Sequence, residues 1–202
     1  NFPKSEKIFT KNKIDEKKKI NYELFDALIS FKTKIIFKKE NLEKLKLFKI
    51  NFHTSLPKYP GSCGVNFCIY NNDKYFGVTV HNINENIDNG KIILIKKRKM
   101  KNKYKNVASL IKETYKLQLS VFKNFIKNLS KNSNYIEVSG NSYKKVKWSS
   151  KVYKISDLHK LREIKKNYSK KKIDKIIRST LFKDYKPYIK INNKKIVYNF
   201  KN

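Results

Sequence analysis

The sequence predicts an α+β fold: a β-β-β-α-β core in which one long amphipathic helix packs on a small mixed sheet, with basic extensions at both ends. Three observations predict it. Apolar residues alternate through Val65, Phe67 and Ile69, and again through Phe76, Val78 and Val80, the period of a half-buried strand. From Val107 through Leu110, Ile111, Phe122, Phe125 and Leu129 they recur at three- and four-residue steps, the stripe of a core-facing helix. Lys and Arg outnumber Asp and Glu by 49 to 16, a formal charge of +33, and runs such as Lys17-Lys18-Lys19 and Lys170-Lys171-Lys172 flank the core.

The first 20 residues are polar and basic without periodicity and read as an extended arm. Leu24, Phe25, Leu28 and Ile29, after Tyr22, suit an amphipathic helix, and Leu42, Leu45 and Leu47 mark a second helical piece. Pro57, Pro60 and Gly61 then punctuate the chain, so an N-terminal extension with short helices is placed at 1–60. Residues 64–82 read as a β-hairpin about Asn71-Asn72-Asp73-Lys74. Asn89-Gly90 turns the chain into a third strand from Lys91 to Ile95. Residues 96–105 form a loop, and Asn106 caps the long helix. Tyr135 to Val138 is the fourth strand, and the segment from Val146 to Ile155 a further strand or irregular edge. The core thus occupies 61–157. The basic C-terminal extension, 158–202, closes with a hairpin through Tyr188–Ile191 and Lys195–Tyr198.

Composition excludes several classes. There is no run of about 18 apolar residues, so no membrane-spanning helix is expected. Cys63 and Cys68 are the only cysteines, on opposite faces of the expected strand. With His53, His81 and His159 scattered elsewhere they do not make the four-ligand set of a structural zinc, and they read as two reduced thiols of an intracellular protein. The chain begins at Asn1, and no intact targeting peptide is visible. Of the 49 basic residues only Arg98, Arg162 and Arg178 are arginine, and asparagine is abundant. This skew is that of an AT-rich gene, but the excess of base over acid is not explained by it.

Catalysis finds little support in the residues. A ribonuclease-H-type nuclease needs several carboxylates converging on a divalent metal, and between Lys91 and Ser156 only Glu113 and Glu137 are acidic. Asp73, Glu85 and Asp88 read as turn and loop acids. Cys63 or Cys68 with His81 lacks an ordering third partner, and Gly61-Ser62-Cys63-Gly64 lacks the lysine of a P-loop. No enzyme, metal, cofactor or small-molecule substrate is therefore expected. What remains is binding of a polyanion: Lys96, Lys97, Arg98, Lys99, Lys101, Lys103 and Lys105 crowd one loop, and Tyr104, Tyr143, Trp148 and Tyr153 beside lysines suit stacking on unpaired bases.

The core order, with Tyr70-Asn71-Asn72, Val78-Thr79-Val80, Gly90-Lys91-Ile92-Ile93 and Ile136-Glu137-Val138-Ser139-Gly140, resembles ribosomal proteins of the small-subunit S eleven family, and comparably the large-subunit L eighteen family. The resemblance implies rRNA contacts at Asn71, Asn72, the 96–105 loop, Lys144, Lys145, Lys165, Lys166, Lys170, Lys171 and Lys172. It implies a divergent organellar ribosomal protein: a structural constituent of a mitochondrial ribosome, or that of a plastid, with rRNA and neighbouring ribosomal proteins as partners. The alternatives are an RNA-processing enzyme or nuclease of an organelle, or a non-ribosomal nucleic-acid-binding protein.

Overall fold

The computed structural model describes residues 20–33, 35–102, 104, 106–192 and 194–199. The N-terminal arm before Ile20, Lys103 and Lys105 lie outside the described residues. After a 3-10 turn at Tyr22–Leu24 come the strand Leu28–Phe31 (β1), the short helix Lys39–Glu43 (α1), the strand Lys49–His53 (β2) and the helix Gly64–Tyr70 (α2). The strands Tyr75–Asn82 (β3) and Ile92–Lys99 (β4) precede the long helix Val107–Leu129 (α3). Tyr135–Asn141 (α4), Ile155–Leu161 (α5), Glu163–Ile164 (β5), Lys170–Thr180 (α6), Tyr188–Ile191 (β6) and Lys194–Val197 (β7) complete the described chain.

Strands β1 to β4 form one sheet in sequence order, with β1 and β2 parallel and the other two pairs antiparallel. Residues on the two sides of Pro60, where the sequence places the edge of the core, therefore share a sheet. Ile50 and Phe52 of β2 are buried in the main apolar cluster. A period of two turns Asn51 and His53 to the opposite face. Asn106 caps α3 as expected, its side-chain oxygen accepting from Ser109 N at 3.0 Å. Phe122 and Phe125 of α3 meet the Phe52 ring edge-on at 5.3 and 5.4 Å between centroids. The buried Gln118 carries the same helix to the sheet, its Nε2 donating to the Phe52 carbonyl at 2.6 Å. A second sheet, β5-β6-β7, holds the C-terminal hairpin, with β5 parallel to β6. Its neighbour α6 packs on α2, where Asn66 Nδ2 donates to the Ser179 carbonyl at 2.7 Å.

The mixture of helix and sheet holds, but the β-β-β-α-β order does not. The helix expected from Tyr22 to Ile29 is a 3-10 turn followed by β1, because four apolar residues are too few to separate helical from strand spacing, and pairing with β2 decides. The first arm of the expected hairpin is α2, most of whose residues are buried, so its apolar alternation carried no information about period. The 96–105 loop is a strand up to Lys99, because eight residues of β3 offer backbone partners and an edge strand sends its charged side chains to water. The expected fourth strand is α4, where Tyr135 packs on Phe125 at 5.3 Å.

Phe52 lies at the centre of this packing. Phe52→Ala is expected to cost about 3–5 kcal/mol in urea unfolding, whereas Leu24→Ala, at a side chain 73% exposed, should stay within about 0.5 kcal/mol.

Candidate active site

Strand register assembles a polar cluster on the face of the sheet away from Phe52. Asn51 of β2 lies directly opposite His81 of β3, and His53 opposite Thr79. An irregularity between Val80 and His81 lets the end of β3 turn away. The following loop brings in Asp88 at φ 44°, a left-handed position that Asp tolerates better than most residues. The Asp88 side chain is only 9% exposed and has four nitrogens aimed at it, of which those of Asn51 and Gly61 donate whatever the histidine tautomers. His53 Nδ1 lies 3.1 Å and Gly61 N 2.7 Å from its Oδ2; His81 Nε2 lies 3.1 Å and Asn51 Nδ2 3.3 Å from its Oδ1.

Each of these groups is held by something else. Ser30 of β1 donates its hydroxyl to Asn51 Oδ1 at 2.9 Å, which leaves the Asn51 nitrogen to face Asp88 and His81. The Asn82 carbonyl, 2.7 Å from His81 Nδ1, can only accept, so that nitrogen carries a proton. The Tyr59 carbonyl stands 2.8 Å from His53 Nε2. The loop from Pro57 to Gly61 that supplies both this carbonyl and the Gly61 amide is itself anchored through the buried Tyr59 ring. Its hydroxyl donates to Asp73 Oδ2 at 2.6 Å and accepts from Asn71 Nδ2 at 2.9 Å, while Lys58 pairs with Asp73 Oδ1 at 2.6 Å. Gly61 has φ 90°, and a Cβ there would stand 2.3 Å from the Tyr153 carbonyl oxygen, so no other residue fits.

The electrostatics follow from burial. Burial works against the Asp88 anion, but the His81 hydrogen bond, the charges available on His53 and His81 and the Gly61 amide together hold its carboxyl below the ordinary value of 3.8. Burial depresses His53 below its ordinary 6.5; Asp88 and the Tyr59 carbonyl pull the other way, and His81 adds to the depression. At neutral pH His53 is thus a neutral imidazole with an oxygen acceptor at each nitrogen. One of those contacts lacks a proton, so taking one up completes a hydrogen bond. That is the disposition of a general base beside an anion that steadies its charged form. Among the described residues no group of three or more His, Cys, Asp or Glu is arranged to hold a metal ion. The thiols are not nucleophiles: burial pushes Cys63 up to about 11 and Cys68 up to about 12.

The residues expected to bind RNA lie elsewhere. Asn71 braces Tyr59, and Asn72 accepts from Arg178 on α6 at 3.1 Å. Lys96, Lys97, Arg98 and Lys99 are exposed on β4 and Lys101 just after it; Lys144 and Lys145 are exposed beyond α4, and Lys165 and Lys166 beyond β5. Lys170, Lys171 and Lys172 open α6, with Lys172 Nζ 3.5 Å from the centre of the Tyr168 ring. None of them meets Asp88. Of the proposed stacking aromatics, Tyr104 packs on Phe76 at 5.6 Å and Tyr153 on Phe67 at 4.4 Å. Sequence reasoning passed over Asn51 and His53 and assigned Asp88 to a loop. The available signal was Asn51-Phe52-His53, two polar residues on one face of a short apolar run, followed by the rigid Leu56-Pro57 to Gly61 segment.

Known proteins identify the arrangement. The sequence model of the formyl transferase family matches residues 5–126, which contain the whole Asn51, His53, His81 and Asp88 cluster. The chain belongs to the formyl transferase family. It is 31% identical over 129 residues to methionyl-tRNA formyltransferase of Prochlorococcus marinus, a match covering 61% of this chain and 38% of that protein. A second methionyl-tRNA formyltransferase, from Borrelia garinii, is 36% identical over 77 residues, 38% of this chain and 24% of that protein. The chain thus spans well under half the length of these relatives. Among solved structures, an N-formyltransferase of Helicobacter canadensis, in complex with folinic acid and dTDP-3-aminofucose, has a TM-score of 0.61 and 28% identity over 83% of this chain and 59% of that one. A sugar N-formyltransferase of Shewanella shares the fold at TM-score 0.67 and 20% identity, over 87% of this chain and 69% of that one.

These findings overturn the ribosomal resemblance and, with it, the structural role in a ribosome and the rRNA partner. They overturn the expectation of a non-catalytic protein without a small-molecule substrate: the relatives of this formyl transferase are enzymes, and their structures hold a folate derivative and a sugar nucleotide. The error has one physical source. A charge of +33 dominates the composition, whereas the site is built from four side chains that composition does not register.

His53 and Asp88 both bind protons more weakly in the folded chain than in the unfolded one. Stability is therefore full above about pH 6.5 and is lost as pH falls, first below the ordinary His53 value and later below the ordinary Asp88 value. Urea midpoints are expected to drop between about pH 7.5 and about pH 5.5. The slope should flatten in His53→Gln.

Proposed function

We propose that this formyl transferase moves a formyl group from a folate derivative onto the primary amine of an aminoacyl-tRNA. The observation that carries the reaction class is the buried Asp88 carboxylate with His53 and Asn51 on it. Formyl transfer to an amine needs a base for the amine proton and a donor for the oxygen on which negative charge develops. His53 supplies the first, taking the proton at one ring nitrogen while Asp88 steadies the imidazolium. Asn51 supplies the second from its amide nitrogen, one of whose two hydrogens turns from Asp88 to the developing oxyanion while the Gly61 amide continues to hold the carboxylate. The acceptor class is supported by the methionyl-tRNA formyltransferase relatives and by the +33 charge, which suits a polyanion. In this reading the lysines of β4 contact tRNA phosphates.

A second acceptor, an amino-sugar nucleotide, is favoured by one observation. Two sugar-nucleotide-bound or dTDP-bound N-formyltransferase structures, at 28% and 26% identity, cover 83% and 88% of this chain, beyond the region the family model matches.

In the full-length protein, transfer of labelled formyl is expected to fall about 10²–10⁴-fold in Asp88→Asn with the fold retained by circular dichroism. Wild-type rates on methionyl-tRNA and on a dTDP-amino sugar separate the two acceptors. With tRNA as acceptor, the apparent affinity should fall steeply with salt, and replacing Lys96, Lys97, Arg98 and Lys99 by Gln should flatten that dependence. An unchanged slope removes the β4 lysines from the interface.

A further inference from the structure

Trp148 is the only tryptophan of the chain and stands outside the region matched by the family model. It belongs to the segment between α4 and α5, which returns across the Pro57–Gly61 loop. Ser149 N donates to the Pro57 carbonyl at 2.9 Å, Tyr153 N to the Pro60 carbonyl at 2.8 Å, and Ser62 N to the Tyr153 carbonyl at 2.7 Å. The indole Nε1 donates to the Gly90 carbonyl at 2.8 Å, two residues after Asp88. Backbone at one end and indole nitrogen at the other thus pin the ring between the two loops that hold the Asp88 carboxylate.

Pinned there, the ring makes T-shaped contacts with both imidazoles, His81 at 4.9 Å and 80° and His53 at 5.6 Å and 71°. The hydrogen bonds of each histidine lie in its ring plane and leave its tilt about that plane free. A perpendicular aromatic neighbour removes the tilt. We propose that Trp148 is a positioning residue that fixes His53 and His81 toward Asp88, and that its fluorescence reports the protonation of His53. Among the described residues the titratable groups in contact with the two imidazoles are each other and Asp88. The Tyr59 hydroxyl is engaged with Asp73, and Lys151 lies over the Tyr153 ring at 4.7 Å. A protonated imidazole against an indole quenches its emission, and Trp148 is the only tryptophan among the 202 residues.

The kinetic half of this proposal rests on the formyl-transfer reading; the optical half does not. In the ligand-free full-length protein, Trp148 emission should fall as pH is lowered through the histidine range. His53→Asn should remove most of that amplitude. Emission that ignores pH, or that responds to it unchanged in His53→Asn, overturns the contact whether or not the protein transfers formyl groups. In the kinetic arm, Trp148→Leu should lower kcat about tenfold to a hundredfold, leave the acceptor KM unchanged and move the acidic limb of the pH–rate profile. Trp148→Phe, which keeps the perpendicular ring, should restore most of the rate. A wild-type pH profile in Trp148→Leu, or a loss that Phe does not rescue, overturns the positioning role. Absence of formyl transfer in the wild type refutes the reaction class and leaves the optical test standing.

Discussion

A carboxylate taken almost wholly out of water is tolerated only where donors replace the water it loses. Asp88 meets that condition with nitrogen partners from three separate stretches of chain: Asn51 and His53 from β2, Gly61 from the loop beyond it, and His81 from β3. Much else in the core can be read as what holds these four in place. The parallel pairing of β1 with β2 brings Ser30 to Asn51, and the antiparallel register of β2 with β3 sets Asn51 across from His81. Phe52, between the two functional residues of β2, ties the opposite face of the same strand to α3. One strand therefore serves the core and the site by its period of two.

The loop from Pro57 to Gly61 is the second constraint. Two prolines and a left-handed glycine leave it few conformations, and Tyr59 spends its ring on the core, its hydroxyl on Asp73 and its carbonyl on His53. Asn71 and Asp73, which look like turn residues, are the outer braces of this loop. The segment from Trp148 to Tyr153 covers it from the other side. Residues sixty or more positions beyond Asp88 thus complete the walls of the site.

Charge and chemistry are separated in this molecule. The lysines of β4, of the turns after α4 and β5, and of the start of α6 sit in water, where they repel one another and attract polyanions without entering the site. The centre holds one anion, two imidazoles and a carboxamide. In the proposed reaction a surface of this sign would act on the approach of an anionic acceptor and on its salt dependence, and the buried cluster on the amine. The two layers explain why reading the surface alone led to a nucleic-acid scaffold.

The linear pattern settled the elements whose signal is long or local. The three-and-four stripe from Val107 to Leu129 with its Asn106 cap, the strand from Phe76 to Val80 and the turn at Asn89-Gly90 were legible, because helix periodicity over several turns and turn chemistry depend on near neighbours. The short buried stretches were not: β1, α2 and α4 are four to seven residues long, and their neighbours in space chose their conformation. The site was illegible for the same reason. Asn51, His53, His81 and Asp88 are ordinary polar residues at sequence separations of up to 37, and folding makes them one cluster because strand pairing converts that separation into contacts of about 3 Å.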